Sequence, residues 1–180
     1  MRIAIVSDTH LPRFGTRLPR ALVDGFRETR IDRIVHAGDW TEPIAVELFE
    51  ALADLDGVAG NNDGPELQAR FGTQLVLEVD GVRLGVTHGH LGSGGTTRER
   101  AIAAFADEPG LAAIVFGHSH APLVVRPADE GGDGEKGPWL VNPGSPTDKR
   151  LQPRFTWALL TIEGGAVSDV EIRSYADRSP

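Results

Sequence analysis

The first half of the chain alternates short apolar runs with segments that carry an apolar stripe at helical spacing. Residues 3–6 form a continuous apolar run, which predicts a strand buried on both faces. The apolar positions 18, 22, 23 and 26 share one face of a helix over residues 18–30, and residues 31–36 predict the next strand. A second helix begins near Pro43, and residues 58–59 predict a short third strand. This β-α-β-α-β order predicts parallel strands joined by right-handed crossovers.

The second half of the chain changes to a pattern of hairpins. Asp80-Gly81 separates the apolar runs 75–79 and 82–86, and this dipeptide between such runs indicates a tight turn. The glycine- and acid-rich residues 127–138 are interpreted as a solvated hairpin tip. Early crossovers and late hairpins predict mixed sheets, and no boundary divides the chain, so we expect one domain over residues 1–180. The other predicted elements are a helix over 97–105 and strands over 112–116, 123–126, 139–141, 155–162 and 166–173.

Composition narrows the class of protein. The 180 residues are 40% apolar and 24% charged, as in ordinary globular domains, and they include no cysteine. This lack of cysteine excludes a disulfide scaffold, a thiolate zinc finger, an iron–sulfur cluster and a cysteine nucleophile. The formal net charge of −8 argues against a bulk basic surface for nucleic acid. The pattern leaves monomer and homo-oligomer open.

The hydrophobic runs also bear on location. None approaches the roughly 20 apolar residues that a membrane-spanning helix needs. The first run, residues 3–6, is shorter than the apolar core of a signal peptide. We therefore expect a cytoplasmic protein with no membrane partner.

Histidine and acidic residues cluster where the predicted strands end. Three pairs follow three strands: Asp8-x-His10, His88-x-His90 and His118-x-His120. The segments Gly38-Asp39 and Gly60-Asn61-Asn62-Asp63 follow two more. Because sites in open α/β sheets form at the carboxyl ends of strands, these five loops predict one shared site.

The donor types at these strand ends indicate a metal site. Imidazole, carboxylate and amide donors without sulfur suit manganese, iron, nickel, cobalt or zinc, and we favour manganese. The donors exceed the needs of one tetrahedral zinc and match two ions that share a bridging carboxylate, an arrangement that favours in-line displacement at phosphorus. The seven candidate ligands are Asp8, His10, Asp39, Asn61, His88, His118 and His120.

Two histidines and one loop have other interpretations. His36 lies in a predicted strand just before Asp39, and we expect it to pack or to support a ligand rather than bind metal. His90 either contacts substrate or caps the following turn. The loop 92–95, which is rich in glycine, either holds phosphate or is a flexible linker. No Gly-x-Ser-x-Gly segment occurs, which argues against a serine hydrolase.

Taken in order, these motifs resemble the calcineurin-like metallophosphoesterase superfamily. The carriers are Asp8-x-His10, Gly38-Asp39, Gly60-Asn61-x-Asp63, His88-Gly89-His90 and Gly117-His118-Ser119-His120, over residues 2 to about 173. The short length, the first strand next to Met1 and the segment Asn142-Pro143-Gly144-Ser145 resemble its small single-domain phosphodiesterase branch, to which the retromer's metallophosphoesterase-fold subunit is related. The resemblance implies an α/β (α+β) fold, a four-layer αββα sandwich of two mixed β-sheets flanked by helices.

The resemblance also implies roles at the site. Asp8, His10, Asp39 and His120 would hold one divalent ion, and Asp39, Asn61, His88 and His118 would hold the other. A hydroxide between two ions would attack phosphorus in line, and Asn61 would also orient a phosphoryl oxygen.

One position departs from larger relatives, whose histidine that protonates the leaving group is replaced here by Asn62. An amide cannot act as a general acid, a role typically worth about 10²–10⁴-fold in rate. This loss favours diesters with activated or nucleoside-like leaving groups. His90 is a candidate substitute acid.

The sequence therefore predicts a metal-dependent phosphodiesterase acting on a small phosphate ester. A phosphomonoesterase or nucleotide hydrolase using the same site is one alternative. A non-catalytic scaffold, like the retromer subunit, is the other, and the complete set of seven ligands argues against it.

Overall fold

The computed structural model describes residues 1–127 and 137–180, and within these ranges it contains ten strands and four helices. The strands are β1 (Arg2–Val6), β2 (Arg33–His36), β3 (Asp54–Gly57), β4 (Gln74–Val79), β5 (Val82–Thr87), β6 (Ala113–Val115), β7 (Leu123–Val125), β8 (Trp139–Asn142), β9 (Phe155–Glu163) and β10 (Ala166–Tyr175). The helices are α1 (Arg20–Thr29), α2 (Pro43–Glu50), α3 (Pro65–Phe71) and α4 (Thr97–Ala103).

The strands form two mixed sheets of five strands each. The first sheet has the order β10-β9-β1-β2-β3, in which β1, β2 and β3 run parallel and β9 and β10 are antiparallel. The second has the order β4-β5-β6-β8-β7, in which β5, β6 and β8 run parallel and the two edge strands are antiparallel. The predicted hairpin is confirmed, with Asp80 and Gly81 in the left-handed region at its turn.

Strand alternation divides the core into layers. Ile3 and Ile5 of β1 pack with Val86 and Val115 of the other sheet, and this cluster fills the space between the sheets. Ala4 instead packs with residues of α1 and α2, on the outer side of the first sheet. A third cluster joins α4 to the outer side of the second sheet. The four-layer αββα sandwich of two mixed sheets is confirmed.

Two elements differ from the sequence prediction. The third strand is Asp54–Gly57, four residues before the predicted position at 58–59. Its two acids have low strand propensity, but Arg33 of β2 forms ion pairs with both Asp54 and Asp56 across the sheet. The helix Pro65–Phe71 was not predicted; it begins with proline and buries only Leu67.

The remaining predictions differ mainly at the ends of elements. The first and fourth helices are shorter than the predicted spans 18–30 and 97–105. Most of the segment interpreted as a hairpin tip, residues 128–136, lies outside the described residues. No helix in the part of the chain that the structure describes is long and apolar enough to cross a membrane.

Candidate metal centre

The loops that follow the strands bring histidines and aspartates from distant parts of the chain together. Asp8, His10 and His120 offer ligand atoms that lie within 4.8 Å of one another, and Asp8, Asp39 and His88 form a second such group. All five side chains are buried. Asp8 belongs to both groups, so the two form one continuous cluster of donors.

The donor atoms face each other at short range. His120 Nε2 lies 3.2 Å from Asp8 Oδ1 and 3.3 Å from His10 Nε2. Asp39 Oδ2 lies 3.3 Å from His88 Nε2 and 3.7 Å from His10 Nε2. Both carboxylates thus stand between histidines, as a carboxylate shared by two cations would.

Hydrogen bonds to backbone carbonyls orient two of the imidazoles. His88 Nδ1 donates to the carbonyl of Ala37 at 2.7 Å, and His120 Nδ1 donates to the carbonyl of Asp148 at 2.6 Å. Because a carbonyl can only accept, each ring carries a proton on Nδ1, and in its neutral form it offers the Nε2 lone pair to the cluster. Metal-binding histidines are held in this way.

Two buried polar atoms of the cluster have no hydrogen-bond partner among the described residues, Asp8 Oδ1 and His88 Nε2. The two atoms are 4.0 Å apart. A buried acceptor without a partner is costly, and divalent cations bound to such atoms remove that cost. The donor set therefore fits a metal with nitrogen and oxygen ligands.

The electrostatics of the cluster suit cation binding. Burial alone would raise the pKa values of Asp8 and Asp39, but the imidazoles of His120 and His88, which lie 3.2 Å and 3.3 Å from them respectively, hold both pKa values below the ordinary range. Burial alone would lower the pKa of His88, but the neighbouring carboxylates of Asp39 and Asp8 raise this pKa to about 9. Both carboxylates are therefore ionised at neutral pH, as metal ligation requires.

The ligand loops adopt an unusual backbone conformation. Asp8, His10, Asp39, His118 and His120 all have positive φ angles, between 47° and 66°. Non-glycine residues in this region cost energy and persist only where the surroundings hold them. Here the loops hold one another, since Asp8 N–H donates to the carbonyl of Gly38 at 2.9 Å and His10 N–H to that of Asp39 at 3.0 Å.

Asp63 ties the loops after β2 and β3 together, a role that the sequence analysis did not assign. Its buried carboxylate accepts hydrogen bonds from the backbone N–H groups of Asp39 at 2.9 Å, Thr41 at 2.7 Å and Gly60 at 2.7 Å. The sequence signal is the acid that closes the segment 60–63. Burial raises the pKa of Asp63 above its ordinary value.

His36 supports the site without facing the donors. Its ring stacks on Trp40 with centroids 3.5 Å apart, and its Nδ1 accepts from the N–H of Gly38 at 3.1 Å. Its Nε2 contacts Thr9 Oγ1 at 2.5 Å. Burial lowers the pKa of His36 to about 3, so the ring is neutral. The packing role expected for His36 agrees with these contacts.

The other predicted site residues lie around the cluster. His118 is half-buried with its ring 5.2 Å from that of His88, and it is outside the two compact donor groups. His90 is also half-buried, 5.3 Å from the His88 ring, and its Nδ1 has no hydrogen-bond partner among the described residues. Asn61 is exposed, in the loop between β3 and α3. The side chain of its neighbour Asn62 donates to Asp39 Oδ2 at 2.6 Å.

A model of the calcineurin-like phosphoesterase superfamily domain matches residues 1–165 of the chain. A probable metallophosphoesterase of Methanothermobacter thermautotrophicus is 32% identical, covering 98% of this chain and 94% of that protein. A probable metallophosphoesterase of Bacillus subtilis is 29% identical over 93% of this chain and 88% of the relative.

Solved structures share the fold at lower identity. An archaeal phosphodiesterase superposes with a TM-score of 0.70 at 22% identity, covering 97% of this chain and 100% of that one. Vps29 of Entamoeba histolytica, solved as a zinc complex, superposes with a TM-score of 0.71 at 20% identity, covering 97% and 98% of the two chains.

Proposed function

The chain belongs to the calcineurin-like phosphoesterase superfamily, and from this premise we propose that it hydrolyses small phosphodiesters with the help of two divalent metal ions. The observation that carries the proposal is the pair of buried atoms without hydrogen-bond partners among the described residues, Asp8 Oδ1 and His88 Nε2. They lie among ionised carboxylates and imidazole nitrogens, a set of donors that suits a divalent cation.

The ligand assignment in this proposal follows the predicted one. Asp8, His10, Asp39 and His120 would hold one ion, and Asp39, Asn61, His88 and His118 would hold the other. We propose manganese as the native metal. When bound, such ions lower the pKa of water to make it a nucleophile at neutral pH and offset the charge that develops on phosphate oxygens.

Two side chains beside the donor cluster supply the remaining roles, which are orienting the substrate and protonating the leaving group. Asn61 is exposed, so its amide can orient a phosphoryl oxygen of the substrate. His90 gives a proton to the leaving group, because its imidazole lies beside the donor cluster and its Nδ1 has no other partner among the described residues. Asn62 donates a hydrogen bond to Asp39, and its amide does not ionise at neutral pH, so it cannot act as the general acid.

The preference for diesters rests on the chemistry of the departing group. A poor leaving group such as a serine alkoxide needs a strong general acid, whereas an aryloxide needs less help. His90 is half-buried, and burial is the main reason that its pKa lies below the ordinary value. Little of it is therefore protonated at neutral pH, so it supplies only limited acid catalysis. Activated diesters therefore fit this site better than phosphoproteins.

The test combines metal analysis with a matched pair of variants. Asp39→Asn keeps the size of the side chain but removes the charge between His10 and His88; Asp24→Asn makes the same change on the exposed face of α1. The protein is reconstituted with manganese, its metal content is measured, and hydrolysis of an aryl diester and of the matching monoester is followed.

We expect close to two ions per chain, faster turnover of the diester, and loss of nearly all turnover in Asp39→Asn only. Full activity of Asp39→Asn with metal bound would refute the shared-carboxylate mechanism. A faster rate on the monoester would favour the phosphomonoesterase alternative. Fewer than one ion per chain after reconstitution would favour a scaffold.

A further inference from the structure

A cavity of about 480 Å³ opens beside the metal centre, between the start of α4 and the loop that joins β6 to β7. Its volume falls in the range of about 300–1,000 Å³ that is usual for small-molecule sites. Its lining includes the apolar side chains of Phe116, Pro122 and Leu123 together with Arg98 and Arg100.

Two residues of the cavity lining adjoin the donor cluster. Ser119, which lines the cavity, stands between the candidate ligands His118 and His120 in the chain. Arg100, which also lines it, donates through Nε to the carbonyl of Gly89, the residue between His88 and His90. A group bound at the metals would therefore have this cavity at its side.

Arg100 is held in place on the cavity wall. Its Nε donates to the carbonyl of Gly89 at 2.9 Å, and its two terminal nitrogens donate to the carbonyl of Gly94 and to Thr97 Oγ1, each at 3.3 Å. The guanidinium plane is thus fixed between α4 and the loop that carries His90. A cavity lined by apolar side chains and a fixed guanidinium offers a slot for a flat ring, by stacking and cation–π attraction.

The lining also indicates which part of a diester belongs there. Among the described residues that line the cavity there is no carboxylate and no imidazole. An arginine does not give up its proton at ordinary pH, so a departing alkoxide would find no acid inside. The group that suits the cavity is one that does not depart.

We propose that this cavity binds a planar aromatic ester arm, the one that stays attached to phosphorus when the diester is cleaved. This inference rests on the proposed phosphodiesterase function. The arm is an aryl group or the base of a nucleoside, since both present the flat ring that a slot lined by Leu123 and the arginines would take.

The first test measures binding without turnover. Phenylphosphonate, thymidine 5′-monophosphate and methylphosphonate are titrated into manganese-loaded protein by calorimetry. From the apolar area of one ring, we expect phenylphosphonate to bind about tenfold more tightly than methylphosphonate. Comparison with the thymidine nucleotide shows whether the slot accepts the nucleoside or only the smaller aryl ring.

Leu123→Trp fills the cavity, and Val125→Trp is its matched control. Both positions lie on β7 and pack on the same hydrophobic cluster, but Val125 does not line the cavity. We expect Leu123→Trp to lose the preference for the aromatic ligand and to bind methylphosphonate as before, whereas Val125→Trp keeps the preference. If Leu123→Trp fails to fold, Leu123→Ala, which widens the slot, should weaken phenylphosphonate severalfold and leave methylphosphonate unchanged.

The second test uses substrates with one leaving group. The p-nitrophenyl esters of phenyl, methyl and thymidine 5′-phosphate all release p-nitrophenolate, so they differ only in the retained arm. We expect Leu123→Trp to raise KM for the aromatic-arm esters about tenfold with little change in kcat, and to spare the methyl ester.

The outcomes separate the two proposals. An equal preference for phenyl and methyl ligands in the unaltered protein, or a preference that survives in Leu123→Trp, overturns the pocket assignment even if turnover is normal. An aromatic preference that Leu123→Trp removes, in a protein that hydrolyses none of the esters, upholds the pocket and overturns the hydrolase function.

Discussion

Gly60→Ala tests whether the position of the Asp39 carboxylate decides metal binding. A Cβ placed on Gly60 would lie 2.1 Å from Asp39 Oδ1, whereas such a carbon is essentially never found closer than 3.0 Å to another heavy atom. The carboxylate would have to move by about 0.9 Å, against a tolerance of about 0.2 Å for a metal–ligand distance. The φ of Gly60 is not in the left-handed region, so the effect is steric rather than conformational.

We expect three measurable consequences. Overpacking of this kind costs about 1–3 kcal/mol, to be seen as a lower urea midpoint in the presence of a chelator. Displacement of one ligand should weaken manganese binding by about 100-fold or more in calorimetry, since even residues that only support a ligand are worth about 10–100-fold. Turnover should fall by about 10²-fold or more at saturating metal, because a misplacement near 1 Å has that effect.

Gly64→Ala is the matched control for Gly60→Ala. It adds the same methyl group four residues further along, where nothing lies within 4 Å of the new carbon. Because Gly64 caps α3, we expect a loss of stability under about 1 kcal/mol and no change in metal affinity. Wild-type manganese affinity in a folded Gly60→Ala protein, or equal losses in both variants, would refute the steric argument.

Three further predictions concern the surroundings of the donors. In the metal-free protein the pKa of His88 is raised to about 9, so its contribution to stability is present below about pH 6.5 and is lost as the pH rises to about 9. Urea titrations in chelator should show this fall, and His88→Gln should reduce it, leaving the part due to His120, whose pKa Asp8 raises despite burial. A flat profile in the unaltered protein would contradict the assignment. His36→Phe keeps an aromatic ring but leaves the N–H of Gly38 without its acceptor, and we expect a loss of about 1–3 kcal/mol in the unfolding free energy. Asn62→Ala removes the 2.6 Å hydrogen bond to Asp39, which should lower manganese affinity about tenfold in calorimetry without unfolding the chain; unchanged affinity would mean that Asn62 does not orient this carboxylate.

Most strands that carry the site could be predicted from the sequence, because their patterns extend over only a few residues. The run at β1 and the Asp80-Gly81 turn follow from burial and turn chemistry over a few residues, and both are found in the structure. The third strand was placed wrongly because its sequence, Asp54–Gly57, has no strand propensity of its own. Its acids are matched by Arg33 on the neighbouring strand, and a pairing over 21 and 23 residues of chain is not visible locally.

The candidate metal ligands could be predicted from the sequence for a related reason. Their types and their places after strands are properties of the sequence, and parallel strands bring such places to one edge of a sheet. The residues that hold these ligands in position could not be predicted in this way. The sequence does not distinguish Asp63 from the other acids, because its role depends on three backbone N–H groups that only the structure places beside it. In the same way, Gly60 is one of 22 glycines, and only the structure shows that Asp39 packs against it.

The sequence by itself thus determined the two mixed sheets, their crossovers and hairpins, and the nitrogen and oxygen chemistry of the site. These depend on residue type and short-range spacing. Only the tertiary structure decided which donors meet, since Asp8 and His120 are brought to 3.2 Å by packing of two sheets from opposite halves of the chain. It alone decided the left-handed backbone at the ligands and the cavity between α4 and the loop after β6, because both depend on contacts between segments that are far apart in the chain.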